Sequence, residues 1–368
     1  MKEIADKYGI KIMGPNCSGE VVAPLLNITH VPWPPRKGGV SIISQSGTFA
    51  VQPLIAISDK IGVGISKIIS VGNEVNTDIV DYLEALEEDE DTTCIGLFIE
   101  TVRRGKKFIE MVESINPKKP IVIIPIGLTE AGSRSAKSHT AAIISPSFVI
   151  DSICEQTGAI EVKSSIEMLN LLNGFDTLPL LKGNRVGILT LGGGPGSLMS
   201  DLFESNGMVV PLLSEELQEK LKPWMPETAS TINPIDLTYS DDMQNYLNVL
   251  PDILLKSDEI DSLIIYGLMG TEYFKNLLNV PDYLKNNPSV ETMRNFGDMM
   301  EEFFIAIFDE LIKYKNKYKK PIILTCYNTR KEKFVAYLQD HGIPVYFPEE
   351  GVRVLIRMWQ YAKFMKSK

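Results

Sequence analysis

KGGVSIISQSGTFA at residues 37–50 and KGNRVGILTLGGGPGSLMS at residues 182–200 decide the fold between them. Each runs from a Lys-Gly turn into a short apolar strand, then a glycine-bearing turn, then a helix start. Short, almost wholly apolar strands alternating with helices are what a parallel sheet covered on both faces requires. Outward from the first stretch, strands are expected at 40–43, 65–71, 94–99, 121–124 and 159–162. The intervening helices carry apolar stripes, such as Ile79, Leu83 and Leu86 on one side of residues 77–88. Outward from the second, strands are expected at 186–191, 208–210, 263–266, 322–324 and 345–347. Five strands fit one flavodoxin-sized doubly wound unit, and the repeated layout marks two related modules side by side.

The predicted fold class is therefore α/β, two doubly wound parallel-sheet domains. The stretch LLNGFDTLPLLKG is the natural boundary between them. Residues 24–39, with Pro24, Pro32, Pro34, Pro35 and the pair Gly38-Gly39, read as an irregular linker or surface loop. The expected division is a remnant and linker at 1–39, a first domain at 40–172, a linker at 173–184 and a second domain at 185–368. An amphipathic helix is expected over 289–317.

Composition limits the function. Hydrophobic residues make up 44% and charged residues 23% of 368, the balance of packed globular domains. A net charge of -10 argues against a nucleic-acid footprint. Cys17, Cys94, Cys154 and Cys326 form no CxxC pair, so neither a zinc ribbon nor a disulfide framework is indicated. No metal site is expected. No apolar run reaches the ~18 residues a membrane span needs, and MKEIADKYGI has no signal-peptide h-region. A cytoplasmic protein is expected, with no membrane and no nucleic-acid partner.

Four groups of residues are candidates for chemistry. Ser44, Gln45, Ser46, Gly47 and Thr48 lie where a strand passes into a helix. Unpaired N–H groups and the peptide dipoles there favour an anion, and Gly47 permits close approach. A capped helix without a ligand has the same pattern. The run Gly192 to Gly196 lacks the lysine and hydroxyl of a P-loop, and Pro195 removes a donor. Gly193, Gly194 and Gly196 suit a tight turn as well as a phosphate contact. Asn233 and Asp236, in NPIDLT, read first as an Asx-type turn and second as a fixed carboxylate at that sheet edge. His139 differs from His30 and His341 because the small residues of AGSRSAKSHTAA leave its ring room to reach a second reactive group. Glu100 ends the third strand, where ligands of open α/β sheets bind.

In order along the chain, GPNCSG (14–19), ISQSGT (43–48), GNEVNTDIVDYLEAL (72–86), Ile99-Glu100, TEAGSRSAKSHTAA (129–142), GGGPG (192–196) and NPIDLT (233–238) resemble the nucleoside-diphosphate-forming acyl-CoA synthetases. These are the ADP-forming acetyl-CoA synthetase group related to succinyl-CoA synthetase. The resemblance implies two flavodoxin-like domains. It makes His139 the residue phosphorylated during turnover, Glu100 its supporting carboxylate, and Ser44 to Thr48 the phosphate-receiving helix start. The implied reaction converts acyl-CoA, ADP and phosphate to carboxylic acid, ATP and CoA. CoA and ADP/ATP with Mg belong to the full assembly, with none expected to bind tightly to this chain alone. The implied partners are an ATP-grasp (beta-type) chain or domain and a CoA-binding domain, neither recognised in this sequence, within an oligomer. The chain alone is expected to be inactive.

This chain departs from the family at Pro125 and Leu128, where Lys and Arg are common, and at Ala141, where glycine is common. A non-catalytic scaffold or interaction subunit is therefore the rival reading. The related protein acetyltransferases are a third, requiring an acyltransferase domain that the sequence does not contain.

Overall fold

A computed structural model describes residues 1–31, 35–134, 147–238, 240, 242–268, 270 and 287–368, less the side chains of 52, 53, 147, 291, 293–302 and 304. Two units divide it, Met1–Asp176 with Lys363–Lys368, and Thr177–Ala362.

The first unit carries β1 (Glu20–Val22), β2 (Leu26–Asn27), β3 (Lys37–Ser44), β4 (Ile65–Ser70), β5 (Cys94–Ile99), β6 (Ile121–Pro125) and β7 (Ile160–Glu161). Their order is β2-β1-β4-β3-β5-β6-β7. β3 to β7 are parallel, and within that set the second strand lies outside the first while the third, fourth and fifth follow on its other side. That is the flavodoxin order, and it places the crevice where the winding reverses, between the carboxyl ends of β3 and β5. Every residue of β5 is buried, which explains its unbroken apolar sequence CIGLFI. On one face Ile43, Leu97 and Ile123 pack against Leu83, Leu86, Phe108 and Val112. Each such side chain contributes about 1.5–3 kcal/mol by leaving water.

Local chemistry sets the helix starts. Asp78 caps the Ile79–Glu87 helix, accepting from the Val80 N–H at 2.9 Å. Asp81 reaches back to the Asp78 N–H at 2.8 Å, completing a capping box. The Gly47–Ile61 helix begins at Ser46, whose Oγ accepts from the Phe49 N–H at 3.3 Å, and stops at Gly62 in the left-handed region.

The expected linker at 24–39 needs correction. β2 lies within it and pairs antiparallel with β1, which pairs antiparallel with β4. Pro24 falls in the turn between β1 and β2, where its missing N–H breaks no ladder. Val21 is fully buried. The amino-terminal stretch therefore widens the first sheet.

The second unit carries β8 (Val186–Thr190), β9 (Ile235–Asp236), β10 (Ser262–Tyr266), β11 (Ile322–Thr325) and β12 (Val345–Tyr346). All are parallel, in the order β12-β11-β10-β8-β9, the same winding as the first sheet. The strand expected at 208–210 is only a single bridge, Val209 to Arg185. Pro211 has no N–H and restricts Val210, so pairing ends there. The place beside the upper half of β8 goes to Ile235–Asp236, which sequence reading treated as a turn.

Asn233 closes the gap between bridge and strand. Its Nδ2 donates to the Val186 carbonyl at 2.9 Å and the Pro211 carbonyl at 3.3 Å, and its Oδ1 accepts from the Ile188 N–H at 2.9 Å. The expected long helix spans Pro288–Tyr318, capped by Asn287, and buries Ile307, Phe308 and Leu311. The Ser165–Thr177 helix runs unbroken into the expected linker at 173–184.

Candidate functional site

The crevice at the head of β3 and β5 gathers most of the residues singled out in the first unit. Ser44 ends β3 fully buried. Its Oγ donates to the Ser46 carbonyl at 2.8 Å and accepts from the Ser46 N–H at 3.1 Å, locking the turn. The Gly47 and Thr48 N–H groups open the helix and have no intrahelical acceptor; the Thr48 side chain is exposed. Phe49 stacks on Phe98 of β5, centroids 3.8 Å apart, and ties this helix start to the neighbouring strand.

Gly47 is glycine because of what presses on it. A Cβ there would lie 2.7 Å from Ser18 Oγ and 3.2 Å from the Ser18 N. Ser18 is itself held by an N–H bond to Ser70 Oγ at 3.0 Å, at the end of β4. The 14–19 segment thus folds over the helix start, and Gly72 accommodates it, since a Cβ there would come 2.4 Å from the Pro15 carbonyl.

Gln45 does not face outward as a phosphate ligand would. It is 6% exposed, and its backbone N–H bonds to the Phe98 carbonyl at 3.0 Å. Its Oε1 accepts from the Glu100 N–H at 2.6 Å and the Thr101 N–H at 3.0 Å. Its Nε2 donates to Glu74 Oε1 at 3.1 Å and the Thr101 carbonyl at 2.8 Å. Among the residues sequence reading passed over, Glu74 is the most consequential. Burial pushes its carboxyl above the usual range, against the hydrogen bonds from Gln45 and Ile79. Burial also works upward on Asp78, but the Arg104 guanidinium and the Val80 N–H outweigh it and hold that carboxyl low.

Glu100 stands half-exposed just past β5, on the rim of a shallow hollow shared with Thr101, Val102, Ile126, Pro125 and Leu128. Pro125 and Leu128, two of the departures noted in the sequence, are therefore the apolar wall beside this carboxylate. His139 and Ala141 lie outside the described residues. The chain leading to them is a helical turn in which Gly132 N–H bonds to Thr129 Oγ1 at 3.1 Å and Ser133 N–H to the Thr129 carbonyl at 2.7 Å.

In the second unit the glycine run is a helix start, Gly193–Ser205, with Gly192 extended at the cap. Gly196 is a packing position, its Cβ vector 3.1 Å from Thr190 Cγ2 and 3.2 Å from Pro234 Cβ. A Cβ on Gly194 would meet nothing within 4 Å, and one on Gly193 would meet only Asp236 Oδ2, at 3.1 Å. The Asp236 carboxylate thus supplies negative charge to this helix terminus itself, while its Oδ1 accepts from Thr238 N–H in an Asx turn. Asn233 is a sheet strut, with its amide bonded to backbone groups of β8. Among the described residues, no three His, Cys, Asp or Glu side chains gather into a metal-binding group, and no helix is long and apolar enough to cross a membrane.

Comparisons with known proteins point one way. Residues 37–175 match the succinyl-CoA ligase like flavodoxin domain. The chain is 33% identical over 308 residues to the alpha subunit of an ADP-forming acetate–CoA ligase II of Pyrococcus furiosus, covering 82% of this chain and 66% of that one. It is 31% identical over 375 residues to the ADP-forming acetate–CoA ligase of Methanocaldococcus jannaschii, covering 100% of this chain and 49% of that one. A solved structure, the dinucleotide-forming acetyl-coenzyme A synthetase 1 of Ca. Korarchaeum cryptofilum in complex with phosphate and ADP, superposes with a TM-score of 0.80 at 26% identity, over 99% of this chain and 73% of that one. The chain thus spans from about half to just under three-quarters of the lengths of these proteins.

Proposed function

The chain belongs to the ADP-forming acyl-CoA synthetase family, and we propose that it is a catalytic component of such a synthetase, acting through a phosphohistidine at His139. The observation that carries the reading is the pairing, at the crevice of the first sheet, of an anion-favouring helix start with Glu100 on one hydrogen-bonded frame. In the proposed cycle phosphate displaces CoA from the acyl-CoA, giving an acyl phosphate and free CoA. A neutral imidazole nitrogen of His139 then attacks the phosphorus; the bond from phosphorus to the acyl oxygen breaks and the carboxylate leaves. An ADP oxygen next attacks the phosphohistidine, the N–P bond breaks, and ATP forms.

Each residue has a part in this scheme. The Gly47 and Thr48 N–H groups donate to the phosphoryl oxygens as charge builds on them. Glu100 accepts from the other ring nitrogen of His139, fixing the tautomer and supporting the charged ring. Ser44, Ser46 and Gln45 act at one remove, holding the turn and the Glu100 backbone. The nucleotide and its magnesium are assigned to an ATP-grasp partner or domain and CoA to a CoA-binding domain. The P. furiosus relative is named as an alpha subunit, which favours a partner chain. Cytoplasmic work in an oligomer goes with this reading.

One observation favours the rival scaffold reading. The wall beside Glu100 is Pro125 and Leu128, which offer no cation to a phosphoryl group. Calorimetric titration of the chain with CoA, alone and then with an ATP-grasp partner and CoA domain, tests the division of labour. Negligible binding alone and acyl-CoA turnover on reconstitution are expected. Micromolar binding by the chain alone contradicts the assignment of CoA, and a complete assembly without turnover leaves the scaffold.

A further inference from the structure

We propose that Glu74 is a positioning residue that fixes Glu100 by way of Gln45; what Glu100 then does rests on the relay reading above. Glu74 lies in the turn after β4, 4% exposed and in the left-handed region at φ 51. An acid in that backbone region is uncommon, and a buried carboxylate is costly unless fully bonded. Here one oxygen is hydrogen-bonded twice and the other is ion-paired. Oε1 accepts from Gln45 Nε2 at 3.1 Å and the Ile79 N–H at 3.0 Å, and Oε2 stands 3.5 Å from Arg103 Nε.

The chemistry of the amide makes this directional. Glu74 Oε1 faces Gln45 as an acceptor, taking both its amide hydrogen and the Ile79 N–H, so a flipped Gln45 would set its own oxygen against it and only the NH2 side fits. The carbonyl side must then face the adjacent N–H groups of Glu100 and Thr101, which it joins at 2.6 and 3.0 Å. With Thr101's carbonyl taking the second amide hydrogen at 2.8 Å, Gln45 has no unused donor. Arg103 clasps the same loop from its far end, donating to the carbonyls of Glu74 and Asn73, each at 3.0 Å. The segment bearing Glu100 is thus held at residues 100–101 through Gln45 and at residue 103 on the Asn73–Glu74 turn. Glu74 is the group both clasps share.

Site-resolved amide hydrogen exchange on the chain itself tests this. Glu74→Ala should raise exchange at Glu100 and Thr101 about tenfold, the effect of weakening one hydrogen-bonded anchor, with β5 and the Gly47–Ile61 helix still protected. Glu74→Gln keeps an accepting oxygen towards Gln45 and should restore protection. Gln45→Met removes the link from the other side and should expose the same two amides, which covers the case of a poorly folded Glu74→Ala. Unchanged exchange at Glu100 and Thr101 in a folded variant overturns the proposal. In the reconstituted assembly, phosphoryl labelling should fall in Glu74→Ala and in Glu100→Gln, and the double variant should be no slower than Glu100→Gln alone, since both act at one point. Multiplying losses overturn the proposal. A wild-type assembly that takes no label refutes the relay and leaves exchange to decide the positioning.

Discussion

Replacing Asn233 by alanine should destabilise the second unit severely, although nothing in its local sequence marks it as more than a turn residue. The side chain is 6% exposed and stands in for backbone beside β8, serving the Ile188 N–H, the Val186 carbonyl and, at longer range, the Pro211 carbonyl. Alanine leaves two fully buried backbone groups without partners, at about 1–3 kcal/mol each. A loss near 3–4 kcal/mol is expected, since entering water recovers part of the higher sum. For a unit of this size about 1 kcal/mol moves the melting point by roughly 2–4 °C, so a shift on the order of 10 °C follows. Asn233→Asp keeps the acceptor for Ile188 but sets a carboxylate against two carbonyl oxygens. Urea unfolding followed by circular dichroism reads both variants, with Asp236→Asn as a mild comparison. A loss under about 1 kcal/mol for Asn233→Ala refutes the strut and returns Asn233 to the list of ligand contacts.

Gly47→Ala should cost about 1–3 kcal/mol by crowding, because its Cβ would meet Ser18 Oγ at 2.7 Å; thermal melts should show Ser18→Gly relieving part of the loss. Asp78→Ala should weaken the first unit by about 1 kcal/mol through loss of the cap. Its carboxyl is held low by Arg104 against burial, so the wild-type advantage is present above the unfolded pKa and fades as pH falls through the lowered value. For Glu74 the sign is opposite. Burial raises its carboxyl, so its contribution is fullest below the unfolded pKa and is lost as pH rises through the folded one. The stability of wild type relative to Glu74→Gln should therefore decline from acid towards neutral pH. A flat difference in denaturation across that range contradicts the burial effect.

The parallel strands were legible because an apolar run buried on both faces has few other uses, and CIGLFI could be placed to the residue. β1 and β2 were not, because an edge strand of two or three residues has no period to read and prolines nearby suggest a loop. Ile235–Asp236 was hidden for a related reason: its neighbour slot beside β8 is finished by a side chain, and sequence does not show an amide acting as backbone. At the candidate site, the strand-to-helix position of Ser44–Thr48 and the strand-end position of Glu100 could be read, because topology alone places them at the crevice. The roles within it could not. Gln45 looked like its hydroxyl neighbours, yet its side chain turns inward, and the meaning of Glu74 lies in a long-range bond to it. The motif GNEVN carried Glu74 in plain view with no local feature separating this buried acid from an ordinary surface one.

Incubating the complete assembly with labelled ATP and magnesium and assaying acid-labile, base-stable phosphate on this chain decides whether it carries a phosphohistidine. Wild type should take label and lose it to CoA with the acyl acid or to ADP, Glu100→Gln should label much more slowly, and His139→Ala should take none. Label that survives His139→Ala, or a wild-type chain that stays unlabelled beside a working ATP-grasp partner, contradicts the relay.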